Sequence, residues 1–162
     1  MTDKDAKKIK LCDFGISRSW SGDQTPNVGT LAYRAPEVFG TTTYTAAIDI
    51  WSTGCVLYEL ITGKQLFHGS TEMTILANIV QTIPVKPDVF ERIGLPNPIR
   101  SNTSEYFKIQ PLYPESLNNM TQRKQLDLIK PTIESMIQLD PAKRPHQAPA
   151  STQIKPTIAQ YL

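Results

Sequence analysis

The stretch from Ala46 to Ile61 most constrains the fold, because it is the most apolar part of the sequence. Its apolar side chains fall at nearly every angle around a helix; they are Ile48, Ile50, Trp51, Cys55, Val56, Leu57, Leu60 and Ile61. A helix that is apolar all round is stable in water only when it is buried. The stretch therefore predicts a buried central helix, and Gly63 predicts its end, since glycine readily adopts the left-handed conformation that terminates helices.

The length and charge of the chain favour one compact domain without a polyanionic partner. The 162 residues suffice for a buried core, and the formal net charge of +2 predicts binding neither to nucleic acid nor to a membrane surface. No signal peptide is visible, and no apolar run approaches the ~20 residues of a membrane-spanning helix. The two cysteines, Cys12 and Cys55, lack zinc-site spacing, so we expect both to be reduced and buried in an intracellular protein of the cytoplasm or nucleus.

The first half of the chain outside this helix predicts one strand, one loop and one more helix. Residues 7–12 alternate polar and apolar side chains, which predicts a short strand. Residues 16–34 are rich in turn-forming residues and predict a loop. The next helix is predicted over residues 70–82, with Ser70 as its N-terminal cap and Met73 on its apolar face.

The second half is rich in proline and predicts shorter helices. Residues 84–120 show no sustained period, which indicates a long irregular insertion. A short helix is predicted over residues 121–130. Another would begin at Pro131, because proline suits the first position of a helix, and would end near Leu139. The sequence as a whole therefore predicts a mainly α-helical domain with one short strand near its N-terminus.

Four short motifs follow one another along the chain. Asp13-Phe14-Gly15 comes directly after the predicted strand, and Ala35-Pro36-Glu37 follows the loop. D-I-W-S-T-G begins at Asp49 on the apolar helix, and D-P-A-K-R-P begins at Asp140. One such match is common by chance, whereas four in this order are specific. Over about residues 1–156 the chain resembles eukaryotic protein kinases.

Details within these motifs resemble one group of protein kinases. Arginine precedes A-P-E at Arg34, as in the CMGC group, which contains the cyclin-dependent, mitogen-activated and glycogen-synthase kinases. The resemblance implies the kinase C-terminal lobe, with helices F to I and the activation segment but without the N-terminal lobe. It divides the chain into a strand before D-F-G (1–12), the activation segment (13–37), a helical core (38–83), a CMGC-type insertion (84–120), and C-terminal helices with a tail (121–162).

The resemblance implies roles for the residues of the activation segment. Asp13 would bind the Mg²⁺ that bridges the ATP phosphates, and Phe14 and Gly15 would begin the segment. Thr25 occupies the position of the activation-loop phosphorylation site, where a phosphate would attract arginines; an unmodified loop threonine is the alternative. Thr30 matches the threonine that bonds the catalytic base.

The resemblance also implies one specificity device and two structural contacts. In proline-directed relatives the carbonyl at the position of Gly29 turns towards the arginine at Arg34, which leaves a pocket suited to a substrate proline. Glu37 and Arg144 would form a buried ion pair. Asp49 would anchor the catalytic loop by accepting its backbone N–H groups. One departure concerns the pocket, because these relatives have a bulky aromatic residue where this chain has alanine at position 32.

The sequence contains no G-x-G-x-x-G loop, no V-A-I-K lysine and no H-R-D-x-x-x-x-N loop, so no catalytic residue is assigned. The leading hypothesis is part of an ATP- and Mg²⁺-dependent protein serine/threonine kinase, with Met1 resembling an internal residue of a longer chain. Its partners would be a protein substrate and a regulatory subunit or upstream kinase, and these residues alone would be inactive. The alternative is a non-catalytic binding module that regulates another protein. An in-frame H-R-D motif upstream of Met1 would favour the first.

Overall fold

The computed structural model describes residues 10–15, 17, 29–40, 44–83, 87–95 and 120–145. The chain divides into two compact units, Met1–Gly22 with Gln147–Leu162 and Asp23–His146, which are described separately. Every regular element among the described residues is helical, which confirms the mainly α-helical class. The α-helices are α1 (Glu37–Gly40), α2 (Ala47–Thr62), α3 (Glu72–Thr82), α4 (Pro87–Arg92) and α5 (Met120–Met136), and 3-10 turns cover Leu31–Tyr33 and Pro141–Lys143.

The first unit does not confirm the predicted strand. Residues 10–12 have no regular secondary structure, and residues 7–9 lie outside the described residues. A strand is stabilised by pairing its backbone with a neighbour, and the described part of the chain contains no other strand. Both cysteines are free thiols, but Cys12 is exposed, so the expectation that both are buried is wrong for Cys12.

Helix α2 is the central helix of the second unit, as predicted. Trp51, Cys55 and Tyr58 lie on its buried side. The Trp51 ring stacks on that of Phe67, with 5.3 Å between ring centroids and 14° between the planes. Because aromatic side chains bury a large apolar area, this stack anchors the segment between α2 and α3 to the core.

The end of α2 confirms one prediction and its surface corrects another. Gly63 adopts a left-handed φ of 69°, and its N–H donates to the Glu59 carbonyl at 2.8 Å. The expected burial on every side is wrong, because Val56 and Leu60 are exposed, Leu60 to 68%. These two residues lie four apart on one face of the helix, and the described neighbours of α2 cover its other faces.

Helices α2 and α5 pack closely at Gly54. A Cβ placed on Gly54 would lie 2.9 Å from Ile137 Cγ2 and 3.0 Å from Met136 Cβ, which is closer than such atoms normally approach. The absence of a side chain at this position therefore lets the backbone of α2 approach the C-terminal end of α5.

Helix α5 replaces the two helices that were predicted on either side of Pro131. The proline lies inside one continuous helix, where its ring removes the hydrogen bond to the carbonyl four residues earlier. Leu126, Ile133 and Ile137 are buried and lie on one stripe that runs past the proline. Burial of this stripe on both sides of Pro131 offsets the local cost of about 3 kcal/mol.

Helix α3 has the predicted position but a different cap. Thr71, rather than Ser70, accepts the Thr74 N–H through its hydroxyl at 3.2 Å, and the Thr74 hydroxyl accepts the Thr71 N–H at 3.0 Å. This reciprocal arrangement satisfies two backbone donors at the helix start, which one serine cannot do. Met73 lies on the outside and is 48% exposed, so its predicted inward orientation is wrong.

Within the predicted irregular insertion, the described residues include one helix, α4. Val89, Phe90 and Ile93 are buried in or directly after it. They follow the spacing of one helix face, but the run is too short to show a period in the surrounding proline-rich sequence. Residues 84–86 and 96–119 lie outside the described residues.

Candidate functional site

A sharp turn brings Arg34 back to the carbonyl of Gly29. Gly29 has a φ of 82°, a conformation that residues with a Cβ rarely adopt. The Tyr33 N–H donates to the Thr30 carbonyl at 3.0 Å, and the Arg34 N–H donates to the Leu31 carbonyl at 3.2 Å. This turn lets Arg34 Nη2 donate to the Gly29 carbonyl at 2.9 Å.

The Arg34 guanidinium joins three parts of the second unit. Its Nη1 donates to Glu72 Oε1 of α3 at 2.8 Å, while its Nη2 bonds Gly29. Its central carbon lies 5.2 Å from the centre of the Phe39 ring in α1. The Arg34 side chain is 7% exposed and the Glu72 side chain 49% exposed, so the charge of Arg34 is enclosed whereas that of Glu72 is half in water.

The turn next to Arg34 is fastened to α2. The Tyr33 hydroxyl donates to Glu59 Oε2 at 2.6 Å, and this bond raises the pKa of Tyr33. The Ser52 hydroxyl donates to the Tyr33 carbonyl at 2.8 Å. These two bonds to the central helix thus hold the turn that carries Arg34 in a fixed position.

A second arginine lies in the core at Glu37. Arg144 Nη1 donates to Glu37 Oε1 at 2.6 Å, and Arg144 Nη2 donates to Glu37 Oε2 at 2.8 Å. Two parallel bonds between guanidinium and carboxylate form the strongest common type of ion pair in proteins. The Arg144 and Glu37 side chains are 0% and 5% exposed, so water does not solvate their charges.

Further contacts hold the Arg144 side chain in place. Nη1 also donates to the Ala47 carbonyl at 2.9 Å, and Nε donates to the Gln138 carbonyl at 2.8 Å. The guanidinium lies over the Trp51 ring, 5.0 Å from its centre. Arg144 therefore connects α1, the start of α2 and the segment after α5.

The sequence of the chain matches a known family. Residues 1–155 match the family model described as protein kinase domain. The chain belongs to the protein kinase domain family. Its relatives include a mitogen-activated protein kinase, MKC1 of Candida albicans, and cyclin-dependent kinase 4 of Xenopus laevis. Both are kinases of the CMGC group, so the group assigned from the motifs is confirmed.

The similarity covers most of this chain but a minor part of each relative. The MKC1 kinase is 37% identical over 150 residues, which are 85% of this chain and 28% of that kinase. The Xenopus kinase is 34% identical over 131 residues, which are 80% of this chain and 36% of that kinase. The chain thus spans about a third of the length of these relatives, so the catalytic activity of a whole kinase is only proposed for it.

The D-F-G motif of the chain lies in the first unit. Asp13 has a φ of 63°, and the Ser17 N–H donates to the Phe14 carbonyl at 3.0 Å, which forms a turn. Asp13 and Gly15 are exposed, and Phe14 is 66% exposed. The family implies ATP and Mg²⁺ in an intact enzyme, and the role of Asp13 as a metal ligand stays a prediction.

The remaining predicted residues of the kinase motifs have separate positions. Asp49 is exposed in the first turn of α2, and its carbonyl accepts the Thr53 hydroxyl at 2.7 Å. Thr30 is exposed directly before the turn that carries Arg34. Thr25 lies outside the described residues. The roles of Asp49, Thr30 and Thr25 therefore stay predictions.

A metal-binding cluster of side chains and a membrane-spanning helix are both missing among the described residues. Among them, no group of three or more histidine, cysteine, aspartate or glutamate side chains could hold a metal ion. Within the same residues, every helix is too short or too polar to span a membrane.

Three residues of the site were not assigned from the sequence. Ser52 lies inside D-I-W-S-T-G, so this motif already contained the signal. Glu59 and Glu72 resemble any other glutamate on a helix surface, and the partner of Glu72 is 38 residues away in the sequence. Such long-range partners leave no local pattern that a single sequence could reveal.

Proposed function

We propose that these residues form the activation segment and helical part of a proline-directed protein serine/threonine kinase. The intact enzyme would transfer the γ-phosphate of ATP to a serine or threonine that is followed by proline. Membership of the protein kinase domain family and the similarity to mitogen-activated and cyclin-dependent kinases support the reaction class. The intracellular location and the regulatory partners expected from the sequence belong to the same proposal.

The hydrogen bond between Arg34 and the Gly29 carbonyl carries this proposal. A substrate residue bound beside this turn would normally need an acceptor for its backbone N–H. We propose that the Gly29 carbonyl, which faces Arg34 and accepts from it at 2.9 Å, is thereby directed away from the substrate, so an approaching N–H would lose its bond to water without a replacement. Proline has no N–H to lose. The turn therefore selects proline mainly by penalising the other residues.

Asp13 fits one part of the cofactor chemistry. Its exposed carboxylate offers hard oxygen atoms, and Mg²⁺ in kinase sites is held by one or two carboxylates together with substrate phosphates. The metal, when bound, offsets negative charge on the phosphates during transfer. Because the 162 residues include no Gly-rich loop, ATP lysine or H-R-D loop, we expect them to be inactive by themselves.

The test compares two peptides in a catalytically complete protein that contains these residues together with those three elements. The peptides differ only in the residue after the acceptor, Ser-Pro against Ser-Ala, and kcat/KM is measured for each. We expect the Ser-Pro peptide to be preferred by at least about tenfold, the effect of leaving one backbone donor unpaired. Equal values would overturn proline-directed specificity. A complete protein that phosphorylates neither peptide nor any protein substrate would favour the non-catalytic module.

Arg34→Lys tests the bond itself. Lysine keeps the charge but lacks the planar fork that reaches two acceptors at once. We expect the preference for Ser-Pro to fall by about tenfold, because the Gly29 carbonyl becomes free to accept an N–H. Arg92→Lys is the matched control, since Arg92 pairs with Asp140 at 3.1 Å elsewhere in the second unit and is 55% exposed. An unchanged preference in Arg34→Lys would contradict the proposal.

A further inference from the structure

We infer that Glu72 is a positioning residue for substrate selection, acting through Arg34 on the Gly29 carbonyl. This inference rests on the proposed function and deepens it, because it places part of the specificity device on helix α3. Glu72 does not contact Gly29 itself in any described bond. It bonds Arg34 Nη1, and Arg34 Nη2 bonds the carbonyl.

The planar guanidinium couples these two bonds. Its two terminal nitrogens cannot rotate independently, so fixing the direction of Nη1 also fixes the direction of Nη2. The bond lengths of 2.8 Å to Glu72 and 2.9 Å to Gly29 show that both nitrogens reach their acceptors in one arrangement. Glu72 thus helps to determine whether Nη2 is aimed at the carbonyl.

Phe39 constrains a different degree of freedom. The guanidinium lies over the Phe39 ring at 5.2 Å, and this contact limits how far the guanidinium can move from the ring. Attraction to the face of a ring hardly changes when the guanidinium turns within its own plane. A directional bond at the edge of the guanidinium is needed to set that rotation, and Glu72 supplies one.

Glu72 is itself held by the start of α3. It is the first residue of that helix, directly after Thr71, whose reciprocal bonds with Thr74 fix the local backbone. A carboxylate in the first turn is also favoured by the positive end of the helix dipole. The position of Arg34 therefore depends on where α3 begins, and a shift of this helix would change the turn at Gly29.

The test measures kcat/KM for the Ser-Pro and Ser-Ala peptides in the catalytically complete protein and its Glu72→Ala and Glu72→Gln variants. We expect Glu72→Ala to lower the ratio by about two- to fivefold, the range for a partly exposed ion pair. Glu72→Gln keeps an oxygen acceptor and should lose less. Glu134→Ala is the matched control, because Glu134 is 46% exposed and pairs with Lys130 at 3.8 Å on α5.

A purely structural role would reduce the activity on both peptides and leave their ratio unchanged, and that result would overturn the inference. A double variant adds a second criterion. In Arg34→Lys the connection from Glu72 through the guanidinium to the Gly29 carbonyl is already broken. Adding Glu72→Ala should therefore lower the ratio of kcat/KM for Ser-Pro over Ser-Ala no further. If Glu72→Ala does not fold, as judged by its thermal transition, the ratio in Glu72→Gln decides. A parent protein without preference for Ser-Pro would overturn the proposed function and this inference with it, whereas a preference that Glu72 variants retain overturns this inference alone.

Discussion

Arg34 and Arg144 are both enclosed arginines that bond a glutamate, but their surroundings differ. Arg144 directs two nitrogens at the two oxygens of Glu37, with side chains 0% and 5% exposed. Arg34 divides its two nitrogens between Glu72 and a backbone carbonyl, and Glu72 is 49% exposed. The first pair is closed to water on all sides, whereas the second is open at its acidic end.

If the proposed function holds, this difference separates a contact that stabilises the fold from one that tunes substrate recognition. Removing Arg144 would leave the carboxylate of Glu37 buried without its counter-charge. Removing Arg34 would let Glu72 return to water at little cost, while the Gly29 carbonyl would no longer be held towards Arg34. We therefore expect changes at Arg144 to act on stability and changes at Arg34 to act on specificity.

The largest expected effect is the loss of stability in Arg144→Ala. The buried Glu37 carboxylate would lose its two bonds to Arg144, and the free energy of unfolding should fall by about 3–5 kcal/mol. Arg34→Ala should cost about 1 kcal/mol, because its partner is half exposed. Urea unfolding of the chain, followed by circular dichroism, measures both values. Similar losses in the two variants would break the comparison between the arginines.

A double replacement sharpens the same point. If the cost of Arg144→Ala comes from an unpaired buried charge, replacing Glu37 and Arg144 together with methionine should cost less than the single change Arg144→Met. A double variant that is less stable than Arg144→Met would show instead that the bonds of Arg144 to the Ala47 and Gln138 carbonyls dominate.

How far the sequence predicted these two regions depends on the range of the contacts. Motif order indicated the family, the apolar pattern indicated the central helix, and Gly63 indicated its end. The family resemblance indicated the contact between Arg34 and the Gly29 carbonyl, whose role in specificity stays a prediction. It did not indicate Glu72, since that partner depends on where α3 packs. The sequence also did not predict that α5 continues through Pro131. Sequence rules consider only the local preference of proline against a helix interior, whereas in the structure the burial of residues on both sides of Pro131 outweighs it.

The second-largest expected effect tests whether water is excluded from the core around Arg144. Burial raises the pKa of the Cys55 thiol from 9.0 to about 12, although the nearby charge of Arg144 acts in the opposite direction. The folded chain keeps this proton at a pH where the unfolded chain loses it. The stabilisation is therefore complete below pH 9 and is lost as the pH rises towards 12.

At pH 10 this loss should be about 1.4 kcal/mol relative to pH 8. It is measured by comparing the pH dependence of the unfolding free energy in the parent and in Cys55→Ala. Tyr33 and Tyr58, whose pKa values are also raised, contribute equally to both proteins, so their contributions cancel. Equal pH dependence in the parent and the variant would show that water reaches the thiol, and the core around Arg144 would then be less closed than its contacts indicate.

The third effect separates strain from recognition at Gly29. Gly29 and Gly63 have φ values of 82° and 69°, and a Cβ on either would meet no atom within 4 Å. Gly29→Ala and Gly63→Ala should therefore each cost about 1 kcal/mol of unfolding free energy through backbone strain. Only Gly29→Ala should also lower the preference for Ser-Pro peptides, because relaxation of its backbone turns the carbonyl away from Arg34. A loss of preference in Gly63→Ala as well would mean that strain alone, at any position, disturbs recognition.

The smallest effect is the stability cost of Glu72→Gln. Because the glutamate is half exposed, the change should lower the unfolding free energy by about 0.5 kcal/mol at low salt, and by less when salt screens the parent pair. Glu37→Gln, in contrast, leaves Arg144 buried without its counter-charge, and its larger cost should change little with salt. This difference is measured by unfolding both variants in 0.05 M and 1 M sodium chloride. The electrostatic screening length is about 14 Å at the lower concentration and about 3 Å at the higher one. A salt-independent cost for Glu72→Gln would show that Glu72 acts as a closed structural contact like Glu37, and the division between a stabilising and a tuning arginine would no longer hold.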